Sequence, residues 1–264
     1  MAQGEDFEPF FTVVRDELVP GPHARSPWSD QMLHGRLLGG LMARTIERDH
    51  AGEGLHFARF TVDLYRNSPL IPLRIETTRI RDGRRIRVVD AAITGGNGPV
   101  ARASAVLLRR GAQPDGEIWT APAWDAPDPG TLGPAPSRGW ASFDMWPIDP
   151  EGKVGEGFAV GGRHRAWLRE THPLVAGEAL SPLVRVVLAA DMASPIAHFS
   201  SAGLMFINAD YSLNLSRLPL GDAVGIEGAG HLSDEGIAVG QCVMYDTAGP
   251  IGFCATSAVA NSAM

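Results

Sequence analysis

Only two cysteines occur in 264 residues, Cys242 and Cys254, in neighbouring strand-like runs without the spacing of a metal site. That excludes a disulfide scaffold and a zinc ribbon and leaves reduced core thiols. Long apolar runs are missing as well, since none approaches the roughly 18 residues of a membrane span. The N-terminal MAQGEDFEPFF carries acidic residues where a signal peptide would carry basic ones, so a cytoplasmic protein without a membrane partner is expected. Excess basic charge is absent too. A net charge of −7 at pH 7 argues against a nucleic acid partner. There is no GxSxG, no P-loop, no dinucleotide GxGxxG and no His or Cys pair at zinc spacing, so neither a metal nor a cofactor is expected.

What is present describes an ordinary globular chain, with 44% hydrophobic and 20% charged residues. Its length allows two domains of about 130 residues or one large one. Residues 179–195, ALSPLVRVVLAADMASP, form the segment around which the rest is organised. Ser181 before Pro182 is a helix start, because the hydroxyl caps free N–H groups and proline fits the first helical position. The run that follows is apolar nearly all round, the mark of a buried helix, and Pro195 is expected to stop it. Asp191 stands near its C-terminal end, where the helix dipole and apolar surroundings both disfavour a carboxylate. Two readings stay open: an Asp bonded to nearby loop N–H groups, or a general base.

The other segments are read in chain order. Residues 7–19 read as a first strand. Residues 32–48 read as a helix with apolar residues at helical spacing and three internal glycines, Gly35, Gly39 and Gly40. Glycine inside a helix costs about 1 kcal/mol relative to alanine, so a sheet, a second helix or a ligand must pack close to this backbone. Four strand-like runs follow to residue 108, with an Asp82-Gly83 turn and a glycine-rich turn at residues 95–98. Residues 111–153 hold eight prolines together with Trp119, Trp124, Trp140 and Trp146, and read as a connector packed across both halves. The element order then repeats. Gly98-Pro99-Val100 matches Gly249-Pro250-Ile251, and Arg66 matches Arg217, each shortly before a Pro-Leu pair. The organisation expected is an N-terminal unit over residues 1–112, a connector over 113–153 and a C-terminal unit over 154–264.

Two further features bear on chemistry. Arg74, Arg79, Arg81, Arg84, Arg85 and Arg87 concentrate on one hairpin, either as a phosphate-holding patch or as a solvated sheet face. His34-Gly35 opens the first helix, where backbone N–H groups can stabilise an oxyanion; His34 itself either contributes or only caps and packs.

A buried helix wrapped by an antiparallel sheet, present twice, resembles the double hot-dog fold, an α+β architecture. The resemblance is carried by LHGRLLGGLMARTIER, TVDLYRNSPL and GPVARASAVLL in the first half, and by AADMASP, FINADYSLNLSRLPLGD and GPIGFCAT in the second. These segments are similar to acyl-CoA thioesterases of the bacterial thioesterase II type, particularly the shorter thioesterase-like proteins of actinobacteria. The resemblance implies two buried central helices, each wrapped by its own sheet, and an acyl-CoA substrate. A homo-oligomer is compatible with it.

In that family an aspartate, a Thr or Ser, and a Gln hold and activate a water. The aspartate falls on Asp191, the hydroxyl position on Asn208 and the glutamine position on Thr256, so two groups have changed type. The resulting expectation is hydrolysis of an acyl-CoA thioester by water, with Asp191 as base, Asn208 and Thr256 orienting the water, His34 and Gly35 at the acyl carbonyl, and Arg79 and Arg85 on the CoA phosphates. The alternative is a binding protein of the same fold that holds an acyl-CoA or lipid-like ligand without turnover. A hydratase would need a catalytic His paired with an acid, and no such motif is found.

Overall fold

The computed structural model describes residues 7–96, 98–120, 122–136, 142–158 and 162–261. The chain begins with β1 (Phe11–Val14), β2 (Glu17–Pro20), β3 (Arg25–Ser26) and β4 (Ser29–Leu33), followed by helix α1 (Gly35–His50). Four long strands complete the first half: β5 (Leu55–Leu64), β6 (Leu73–Asp82), β7 (Ile86–Gly95) and β8 (Gly98–Arg109). Next come β9 (Phe143–Pro147), β10 (Arg165–Glu170), α2 (Pro182–Ala190) and α3 (Ala193–His198). The short β11 (Phe199–Ser200), β12 (Gly203–Leu204) and β13 (Phe206–Asn208) lead to β14 (Asp210–Leu215), β15 (Ala223–Asp234), β16 (Ile237–Asp246) and β17 (Gly249–Ala260).

The α+β class and the antiparallel strands agree with the sequence reading, but the two halves do not have separate sheets. One 13-stranded sheet runs β1-β2-β6-β7-β8-β5-β14-β17-β16-β15-β10-β9, with β13 paired to β17. The halves join where β5 and β14 lie antiparallel, from Asp210 opposite Asp63 to Asn214 opposite Arg59. Inside it, α1 and α2 pack on each other, the N-terminus of each beside the C-terminus of the other. Leu37, Leu41, Val186 and Val187 are fully buried there. The close neighbour that the glycines of α1 demand is chiefly the second helix and β14. A Cβ at Gly39 would lie 1.8 Å from the Tyr211 hydroxyl, and one at Gly40 would lie 2.6 Å from a Leu188 methyl.

The internal repeat extends to hydrogen bonds. Gly98 and Gly249 open their strands at φ +111° and +118°, conformations that favour glycine. Each hairpin shifts register one step inside this turn, between Ile93 and Thr94 in one and between Met244 and Tyr245 in the other. Arg66 Nη2 donates to Gly98 O at 3.0 Å, and Arg217 Nη2 donates to Gly249 O at 3.3 Å.

Three local expectations are corrected. Residues 7–19 are not one strand, because Arg15 and Asp16 take positive φ and fold β1 onto β2; a two-residue turn built on Arg-Asp lacks the Asn-Gly signature. The connector does touch both halves, with Ser142 Oγ donating to His23 O at 3.2 Å and Phe143 under the Arg36 guanidinium, but it packs mainly on the second. Its β9 pairs with β10, Trp146 is buried with Nε1 donating to Gly133 O at 2.9 Å, and Trp124 stacks on Tyr245. Trp119 remains 85% exposed, and Trp140 lies outside the described residues. The third correction, at Pro195, concerns the site itself.

Candidate active site

Ser181 caps α2 as expected, its Oγ accepting from Val184 N at 3.1 Å. The helix then ends at Ala190, and α3 begins after two intervening residues with Pro195 in its first turn. Pro195 therefore breaks the helix upstream of itself instead of stopping it. Lacking an N–H, it cannot donate to the carbonyl four residues earlier, that of Asp191. Asp191 stands at this interruption and lines a chamber on either side of it. Two thiols stabilise the gap: Cys254 Sγ donates to Ala190 O and Cys242 Sγ to Ala193 O, each at 3.5 Å. These cysteines face each other across β16 and β17 and are free, buried thiols.

Asp191 is buried, and Asn208 Nδ2 donates to its Oδ1 at 3.0 Å. Burial pushes its carboxyl above the usual range; the Asn208 hydrogen bond and the charge of Arg36 pull in the other direction. Across from it, His34 caps α1, its Nδ1 accepting from Arg36 N at 3.4 Å. Burial and then the neighbouring Arg36 charge push His34 down to about 3, so the ring is neutral at working pH. With Nδ1 accepting, the proton sits on Nε2 and that N–H is a donor.

Arg36 went unnoticed in the sequence. Its guanidinium is 1% exposed, 2.6 Å from Glu170 Oε1, and lies over the Phe10 and Phe143 rings at 5.2 and 4.7 Å. A lone charge on the apolar face of LHGRLLGG was the available signal.

Trp28, His34, Asp191 and Asn208 form the wall shared by two chambers of about 200 and 440 Å3. Gly35 lines the smaller one. The structure thus brings four of the expected residues together: His34, Gly35, Asp191 and Asn208. Thr256 does not join them. Its Oγ1 donates to Asp210 O at 2.9 Å, it lines neither chamber, and the β17 residue that does is Val259. Arg79 and Arg85 also stand elsewhere, on the β6–β7 hairpin. Arg79 pairs with Asp82 at 2.8 Å and contacts His50 Nδ1 at 3.5 Å, which places it beside the far end of α1. Sixteen helical residues put about 24 Å between that end and His34.

Residues 24–108 match the family model of the acyl-CoA thioesterase N-terminal domain, and residues 120–260 match that of the C-terminal domain. The chain belongs to the acyl-CoA thioesterase family. This thioesterase-family chain is also similar to solved structures. A tesB protein of Mycobacterium avium subspecies paratuberculosis has a TM-score of 0.67 at 16% identity, over 94% of each chain. A hot-dog-fold protein of unknown function from Alicyclobacillus acidocaldarius has 0.73 at 10% identity, over 96% of each chain. An acyl-CoA thioesterase II of Mycobacterium marinum has 0.64 at 13% identity, over 86% of this chain and 90% of that one. At such identities the likeness establishes the hot-dog fold alone. No curated protein matches the chain in sequence. Among the described residues, no helix is long and apolar enough to cross a membrane, and no group of three or more His, Cys, Asp or Glu could hold a metal ion.

Proposed function

We propose that this chain hydrolyses an acyl-CoA thioester by direct attack of water, with Asp191 as the general base. The observation that carries the reading is the Asp191 carboxylate, buried, braced by Asn208 and set where two chambers meet opposite neutral His34. A base must be ionised yet willing to take a proton, and burial tunes Asp191 toward that balance. Asn208 donates to one carboxylate oxygen and leaves its own carbonyl free to accept from the water.

In the reaction, the water oxygen bonds to the thioester carbon as Asp191 takes its proton. The negative charge that develops on the carbonyl oxygen is stabilised by Nε2–H of His34 and by the backbone N–H of Gly35 at the N-terminus of α1. Collapse of the tetrahedral intermediate breaks the C–S bond. The departing thiolate recovers the proton from Asp191, and free acid and CoA leave.

The test is release of free thiol from a series of acyl-CoAs by the wild type and by Asp191→Asn. Turnover by the wild type and a loss of about 100-fold or more in the variant, at a melting temperature within a few degrees, are expected. Wild-type protein that binds acyl-CoA without releasing thiol would establish the ligand-binding alternative. Unchanged turnover in a folded Asp191→Asn variant would assign the carboxylate a structural role.

A further inference from the structure

Resting on the thioesterase reading above, we propose that the larger chamber is the acyl site, that it takes an uncharged acyl group of medium length, and that Phe158 and Phe206 set that length. The two chambers differ in chemistry. The smaller one has Arg66, Asn67 and Ser68 at its edge, and Arg66 is the cation there. The larger one has Met145, Phe158, Met192, Leu204 and Phe206 in its wall; among the described residues its only charged groups are Asp191 and Glu156. CoA is a polyanion and an acyl chain is apolar, so a thioester seated between His34 and Asp191 sends CoA past Arg66 and the acyl chain into the larger chamber. An acyl group ending in a carboxylate would meet two acids and no cation there, and is excluded.

The aromatic wall is held in place. Phe158 packs edge-on against Phe199 with ring centroids 5.6 Å apart and lies 5.0 Å from His164; Phe206 packs on His198 at 5.7 Å. Rings fixed by their neighbours make a hard stop for a growing chain. A methylene takes up about as much space as a water, about 30 Å3 with its share of voids, so the chamber's 440 Å3 holds on the order of ten to fifteen carbons. Met145 comes from the Trp-rich connector and Phe158 from the chain just beyond it, which gives the connector a part in the chamber that its composition did not reveal.

The experiment is kcat/KM across straight-chain acyl-CoAs from two to sixteen carbons and across ω-carboxyacyl-CoAs, for the wild type, Phe158→Ala, Phe158→Trp, Phe206→Ala and Val259→Phe. In a pocket that fits its substrate, each methylene beyond the fitting length costs about tenfold or more. The wild type is expected to peak at medium length and to discriminate against ω-carboxyacyl groups by about 100-fold. Either alanine variant should move the optimum longer by about two to four carbons, and Phe158→Trp should move it shorter; the paired directions separate a specificity effect from damage to the fold. Val259→Phe narrows the other chamber and should leave the optimum where it is. An optimum unmoved by the three phenylalanine variants, or moved by Val259→Phe instead, overturns the chamber assignment while thioesterase activity stands. Absence of thiol release at every chain length is a different result and overturns the thioesterase reading itself.

Discussion

The two ends of the α1–α2 pair carry the same ingredients and reach opposite states. Each end has a carboxylic acid on one helix facing the N-terminus of the other. At one end Asp191 faces His34 and Gly35 across two chambers. At the other, Ser181 Oγ donates to Glu47 Oε2 at 2.5 Å, Arg44 grips Glu178 with two hydrogen bonds, and the cavity left is only about 10 Å3. Burial raises the Glu47 carboxyl just as it raises Asp191, with the Ser181 hydroxyl acting in the opposite sense. A perturbed acid at a helix terminus therefore does not make a site. Open space beside it is the second requirement, and only the Asp191 end of the two has it.

Removing the two acids in turn is the sharpest way to break this comparison. Asp191→Asn should lower turnover by about 100-fold or more, while Glu47→Gln should leave it within about threefold; steady-state thiol release on one good acyl-CoA measures both. Equal losses would mean that the ends are functionally linked. A large effect on stability is expected from Gly39→Ala, since its methyl would overlap the Tyr211 hydroxyl, which donates to Val187 O at 3.4 Å. Forcing that contact apart should cost about 1–3 kcal/mol, whereas Gly40→Ala meets the end of a flexible leucine and should cost less; chemical denaturation of both variants gives the difference.

Acidity separates the ends further. Because Asp191 must be ionised and burial raises its pKa, kcat/KM should climb with pH along an acid limb lying above the ordinary carboxylate range near 4. His34 should leave no limb between pH 5 and 8, since it is already neutral. Stability runs as follows. His34 is lowered to about 3 and His198 to about 4 in the folded state, each first by burial and then by a neighbouring charge, Arg36 or His231. Between those values and 6.5 the unfolded chain binds more protons, so stability is lost as pH falls below about 6.5. Melting temperatures from pH 8 to 4 should show this decline, and His198→Gln should make it shallower. Arg44→Ala should have the smallest effect, below about 1 kcal/mol with unchanged turnover, because its Glu178 partner is 42% exposed.

The long strands were legible in the sequence because alternation and turn chemistry agree there, from β5 through β8 and from β14 through β17. So was Asp191, since a charge at the end of an apolar helix stands out against its neighbours. The rest depended on tertiary contacts. Asn208 reaches Asp191 from β13, which pairs with β17, whereas Thr256 of β17 turns to the Asp210 carbonyl; alternation puts Thr256 and the chamber-lining Val259 on opposite faces of that strand, which linear matching does not reveal. Arg36 was hidden because its partner Glu170 lies 134 positions away. The larger chamber was invisible for the same reason, being assembled from the connector, α3 and β13.

The seam between β5 and β14 makes the molecule mechanically one body. Swinging the halves apart like hinged lobes would tear a backbone ladder at the middle of the sheet, so the site cannot open that way. The short β11–β12 hairpin, which borders the larger chamber through Phe199 and Leu204, is held by only two pairs of facing residues and is the local element best placed to move instead. The seam also couples the two halves on heating. Loss of either would strand an unpaired strand edge in the other, so they hold together and give way together.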